Sequence, residues 1–138
     1  MAIDYQTTTK IPANQLVSDA SGRANLTPQT TGIGYSAGGS AVTQATSRTT
    51  GVTINAPCGS ITLVSAAGST TPATFTVTNS FVAATDVPHV VQKSGTDKYT
   101  ISVSAVAAGS FDITFNTKSG TTTEQPVFNF AILKSVAA

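Results

Sequence analysis

Three residues stand in the order a small serine hydrolase would need. Gly34-Tyr-Ser36-Ala-Gly38 spells G-x-S-x-G, and Asp86 and His89 follow it. In α/β-hydrolases that motif works because a strained strand-to-helix turn exposes the serine beside an oxyanion hole. The setting here is wrong for it. Pro28-Gln-Thr-Thr31 precedes the motif where an apolar strand should lie, and no helical pattern follows. Asp86 and His89 fall on one expected strand, too close to be independent members of a triad, and the chain is too short for that fold. The stretch reads as a Gly-rich hinge. Gly32-Ile-Gly34-Tyr-Ser-Ala37 also fits a G-x-G-x-x-A dinucleotide fingerprint. That fingerprint needs a strand–helix–strand unit to hold pyrophosphate, and none is expected.

The remaining reactive side chains are isolated. His89 is the single histidine, in Val87-Pro-His-Val-Val91. Alternation groups it with Val87 and Val91, so a partly buried, hydrogen-bonded imidazole is expected. Cys58 is the single cysteine, in a Pro-Cys-Gly turn with no nearby Lys, Arg or His to stabilise a thiolate. One Cys excludes an intrachain disulfide, and one Cys with one His excludes a Cys/His zinc site. Asp86, Asp97, Asp112 and Glu124 are spread singly. A calcium loop needs carboxylates at alternate positions, and glycoside hydrolysis needs a facing pair. Asn25-Leu-Thr27 is a glycosylation sequon that has meaning only in an exported chain. No catalytic, cofactor or metal residue is expected, and the sequence argues against an enzyme.

Composition narrows the partners. Only 9% of the 138 residues are charged, against about 25% in an average soluble chain, and the net charge is +1. That leaves no basic surplus to release counterions from nucleic acid. No run approaches the roughly 18 apolar residues of a membrane helix. The N-terminus, Met1-Ala-Ile-Asp-Tyr5, has no apolar core, so no secretory signal and no membrane partner are expected. No small-molecule substrate is expected either. Thr and Ser are in surplus, 25 and 15 of the 138 residues.

Their placement divides the chain. Residues 1–42 hold scattered apolar side chains, among them Ile3, Tyr5, Ile11, Leu16, Val17 and Tyr35, with no sustained period. Such a segment builds no core. It is expected to be an extended arm that orders against its own domain or neighbouring subunits, those six residues supplying its contacts. From residue 43 to 138 the period is 2. Val52, Ile54 and Ala56 alternate with polar residues, as do Ile61 and Leu63. The clearest runs are Phe75 to Phe81, Tyr99 to Ala105 and Phe111 to Thr117. Each predicts a half-buried strand, aromatic and β-branched residues inward, Thr and Ser outward. Val87–Gln92 and Val127–Leu133 are more continuously apolar, which predicts strands that are central or covered on both faces. Gly- and Pro-containing turns separate the runs, at 57–59, 67–72, 94–97, 107–110 and 118–121. The expected fold is all-β, a small antiparallel sandwich (jelly-roll or Ig-like) of about seven strands behind an N-terminal arm. A Thr/Ser face with few charges lacks the residues that discourage association, so it fits either a plain soluble β domain or a surface that packs against copies of itself.

From about residue 38 onward the chain resembles a module common in tailed-phage and prophage structural proteins. The resemblance is carried by several segments in order: Gly39 to Asn55, Cys58-Gly-Ser-Ile-Thr62, Phe75 to Ser80, Val82 to Asp86, Ser104 to Phe111, and Phe128 to Lys134. It implies a virion component without enzymatic activity. Such modules occur as small stand-alone head-associated proteins and at the ends of longer fibres. A chain that begins at Met and has no long shaft resembles the stand-alone kind, a capsid decoration or cement protein. The resemblance then implies a homotrimer on the virion capsid surface, bound to the major capsid protein and assembled in the host cytoplasm. The alternative it allows is a receptor-binding tip of a tail fibre.

Overall fold

The structure is a computed structural model that describes residues 38–136. Ten strands form, with no helix among the described residues. They are β1 Gly39–Thr43, β2 Val52–Thr53, β3 Cys58–Thr62, β4 Ala66–Ala67 and β5 Ala73–Thr78, then β6 Val87–Ser94, β7 Tyr99–Ala107, β8 Ser110–Thr117, β9 Thr123–Glu124 and β10 Val127–Leu133. One four-stranded sheet has the order β1-β3-β10-β6, the other β2-β5-β8-β7, and β4 pairs β9 at the side. We call the first two the β10 sheet and the β8 sheet after their central strands. The expected all-β sandwich is what the chain builds.

Period-2 patterning decides which side chains meet between the sheets. Phe75 and Val77 of β5, Phe111, Ile113 and Phe115 of β8, and Phe128, Phe130 and Ile132 of β10 are all at most 4% exposed. Their rings interlock within the β8 sheet and across the gap to the β10 sheet. Phe115 meets Phe75 at 5.9 Å and Phe128 at 5.5 Å, both edge-to-face, and Phe111 meets Phe130 at 5.7 Å. Each such ring pair adds roughly 0.5–1.5 kcal/mol beyond its burial. Val52, Ile54, Ala56, Ile61 and Leu63 complete this core, as their alternation predicts.

Several expectations change. The sandwich is not purely antiparallel: β1 pairs β3, and β2 pairs β5, in parallel. The early strands alternate between sheets, so each returns beside its predecessor in the same direction. Residues 39–42, expected to end the arm, belong to β1, whose Val42 packs on the core. Cys58 and Gly59, expected in a turn, open β3. Val87–Gln92 is not central. As part of β6 it is an edge, paired among the described strands only with β10, with Val87 54% and Val91 44% exposed. Val127–Leu133 does occupy the centre, between β3 and β6.

Two alternations stop early. The run expected to reach Phe81 ends at Thr78, because buried Asn79 turns the chain, and Phe81 is left 48% exposed. In β7 the register shifts between Val103 and Ala105, a bulge that turns Ala105 outward and places Val106 opposite Phe111. The β7–β8 hairpin closes on Gly109, whose φ of 84° lies in the left-handed region that favours glycine.

Candidate functional site

The hydrolase-like residues do not assemble. Ser36 lies outside the described residues, and so do Asn25 and the six arm candidates Ile3, Tyr5, Ile11, Leu16, Val17 and Tyr35. Asp86 is committed elsewhere. One oxygen, Oδ2, accepts from the Ala83 amide at 2.8 Å and from Lys134 Nζ at 2.6 Å, and Oδ1 accepts from the Ser135 amide at 3.3 Å. The Ala83 amide first, then the Lys134 ammonium, hold its carboxyl below the usual range. This ion pair fastens the segment after β10 to the turn before β6. His89 is exposed on the outer face of β6, beside Val87 and Val91, not partly buried as alternation suggested. No group of three or more His, Cys, Asp or Glu among the described residues is placed to hold a metal.

A second cluster, invisible in the sequence, sits at one end of the sandwich. Arg48 Nε donates to the carbonyl of Val64 at 3.0 Å. Its Nη1 reaches Ala67 O at 3.4 Å and the Tyr99 hydroxyl at 2.9 Å, and its Nη2 reaches Ala66 O at 2.5 Å and Glu124 O at 2.6 Å. These occupy all five guanidinium N–H groups. Glu124 takes hydrogen bonds from the amides of Thr96 and Asp97, and from the Tyr99 hydroxyl at 3.1 Å. Desolvation raises the Glu124 carboxyl, but these donors outweigh it and the net shift is downward. Desolvation also raises the Tyr99 hydroxyl, which stays neutral as a donor. Gln44, 4% exposed, donates to Arg48 O and Thr50 O and accepts from the Val64 amide. A cavity of about 410 Å³ opens beside this cluster, floored by Phe115, Tyr99 and Ala73 and rimmed by Ser and Thr. Arg48 has no donor left for an anionic ligand there, so the cluster ties four chain segments together and offers no charge to a guest.

The two outer sheet faces differ in kind. On the β8 sheet the hydroxyls satisfy one another across strands. Thr74 and Thr114 share a bond of 2.7 Å, Thr114 donates to Ser104 at 2.8 Å, and Thr76 donates to Asp112 at 2.7 Å. This lattice is how a Thr-rich face stays wet with few charges. On the β10 sheet the outward residues of β1, β3 and the middle of β10 are small, and no side-chain hydrogen bond among the described residues links them. Register places Gly39, Cys58, Ala131 and His89 in one row, and Ala41, Ser60, Asn129 and Val91 in the next. A shallow groove of about 540 Å³ follows these rows, with Lys93 at its β6 side. Leu133 and Val87 pair at one end, 58% and 54% exposed. Asn129 Oδ1 is buried in this face without a hydrogen-bond partner.

The chain was compared with family models, curated proteins and solved structures, and none of them matches it.

Proposed function

We propose that this chain is a non-enzymatic virion structural protein that decorates a capsid surface and stabilises it, as a homotrimer. The observation that supports the reading is the outer face of the β10 sheet, as the described residues form it. It is four strands wide, has no carboxylate, and is paved with Gly, Ala, Ser and Cys between exposed Val and Leu. A face of that kind suits a broad protein contact and has no polar constellation for a small substrate. The fate of the charged groups agrees with this. Asp86, Glu124 and Arg48 are each held by main-chain partners, as structural ties and not as poised reactants. The partner proposed is the major capsid protein, with residues 1–37 supplying extended contacts by strand addition.

The decisive measurement is location. Assembled particles carrying a tagged copy of the chain are imaged by electron microscopy. Label distributed over the head supports decoration. Label confined to the tips of tail fibres replaces it with the receptor-binding reading, and particles without label overturn both.

A further inference from the structure

We infer that the cavity beside Arg48, at one end of the sandwich, binds a neutral sugar. The inference does not rest on the capsid reading above, and it is tested on the isolated chain.

The cavity has the build of a small-molecule site. Its volume of about 410 Å³ falls in the range of roughly 300–1,000 Å³ that such sites occupy. Its walls are residues 46–48 between β1 and β2, residues 64–67 leading through β4, and Ser69 and Thr71 before β5. They are fixed before any guest arrives. Arg48 holds the carbonyls of Val64, Ala66 and Ala67, and the Thr117 amide donates to Ser69 O at 2.8 Å. Walls already tied in this way lose little freedom when a ligand enters.

The chemistry of the lining identifies the guest. No carboxylate lines the cavity, and its one charged residue, Arg48, has spent every N–H on carbonyls and the Tyr99 hydroxyl. An ion would give up water there and find no countercharge. The floor is apolar, with Phe115 and Ala73 beside the ring of Tyr99. The rim carries five Ser and Thr hydroxyls, and those of Thr46, Ser65 and Thr71 have no hydrogen-bond partner among the described residues. Each hydroxyl can both donate and accept. The guest that fits is therefore uncharged, apolar across one side, and edged with groups that also donate and accept. A pyranose is built that way, with axial C–H groups making an apolar face and equatorial hydroxyls making a polar edge. A hydrocarbon ring would meet the floor alone and leave the rim to water.

The full chain, isotope-labelled, is titrated by NMR with the methyl glycosides of glucose, galactose and mannose. Glucuronic acid supplies a charged sugar, and cyclohexanol a ring with a single hydroxyl. At least one glycoside should give saturable shifts centred on the amides of Ser65, Ala67 and Ser69. The expected Kd is on the order of 1 mM, which a guest of about a dozen heavy atoms can reach. Glucuronic acid and cyclohexanol should bind about tenfold more weakly, one for its unmatched charge and the other for its missing hydroxyls. Thr71→Val and Ser65→Ala, both at exposed positions, should each weaken the glycoside by roughly two- to tenfold, the worth of one hydrogen bond. Ala73→Leu should fill the floor and abolish binding, and if it fails to fold the two hydroxyl variants decide alone. No saturable shift from any glycoside overturns the inference. So does glucuronic acid or cyclohexanol binding as tightly as the best glycoside, or binding that neither hydroxyl variant weakens. Shifts centred instead on Ser60 and Asn129, in the groove of the β10 sheet, overturn the assignment of the site. Decoration of particles is read separately by microscopy, so either reading can fail while the other stands.

Discussion

The Arg48 guanidinium meets Glu124 at its main-chain carbonyl, 2.6 Å away, and leaves the Glu124 carboxylate to the amides of Thr96 and Asp97. Cation and anion thus sit side by side, each serving the backbone. What counts at position 48 is the number and fan of N–H donors, and lysine cannot reproduce five planar donors with three on one atom. Arg48→Lys should therefore destabilise the fold by about 2–4 kcal/mol, since buried carbonyls lose their partners. Urea denaturation of the two proteins measures this directly. A difference below about 0.5 kcal/mol, the usual effect of an indifferent surface change, would contradict the role given to Arg48.

Acid should weaken the protein. Asp86 and Glu124 both have folded pKa values lowered from their ordinary 3.8 and 4.5. A lowered carboxyl stabilises the fold fully above its unfolded pKa, and that stability is lost as pH falls through the folded pKa. Thermal midpoints should be flat from neutrality to about pH 5 and fall progressively below it. Glu124→Gln should lower the plateau and give a shallower acid limb. An acid limb as steep as wild type in that variant would remove Glu124 from the account.

Asn79 is fully buried and does two jobs at once. Its Nδ2 donates to Ala56 O at 2.8 Å and its Oδ1 accepts from the Phe81 amide at 2.9 Å. Asn79→Leu fills a similar volume but strands one carbonyl and one amide inside the protein. A loss of roughly 2–4 kcal/mol is expected from two orphaned backbone groups. Amide exchange at Phe81 should accelerate in the variant, a local readout that a general loss of packing would not single out.

Gly59 is required by proximity. A Cβ built there would collide with the main-chain oxygen of Ser40, and would press on Phe130 at 3.1 Å and Ile54 at 3.0 Å. Backbone cannot swing aside as a side-chain end can. Gly59→Ala should open the β1–β3 pairing and cost about 1–3 kcal/mol, the usual range for overpacking. Fast exchange of the β1 amides identifies the cause, while full protection there with unchanged stability would contradict it.

Most of the sandwich was readable from its period. Phe75, Val77, Phe111, Ile113 and Phe115 alternate without interruption, and the strand backbone leaves them one face to share. The misreadings have local causes. Tyr99 to Ala105 alternates perfectly in sequence, and nothing in its composition marks the bulge before Ala105. Asn79 looks like one more outward polar residue until its side chain is seen to cap a turn. Strand β1 has one inward apolar anchor, Val42, and is held otherwise by backbone pairing, which sequence patterning does not register. The Arg48 cluster was hidden for a related reason. Four of its five acceptors are carbonyls, supplied by residues as near as Val64 and as distant as Glu124, and a carbonyl has no signature in the amino-acid alphabet. The make-up of the outer β10 face could not be foreseen, because it requires knowing that β3 and β10 are neighbours.

The strand order also sets a timetable for synthesis. The centre of one sheet is β10, which joins β3 to β6 and is made after every other described strand. Until it emerges, β6 has no paired strand among the described residues and β3 has only β1. The β5-β8-β7 ladder, by contrast, can close as soon as Thr117 has emerged. A nascent chain would thus hold one finished sheet with its aromatic face open, and a premature stop before residue 127 would leave that face permanently without its lid. Such a fragment is sticky, which makes the codons for residues 127–133 the ones that decide whether a translation product is worth keeping.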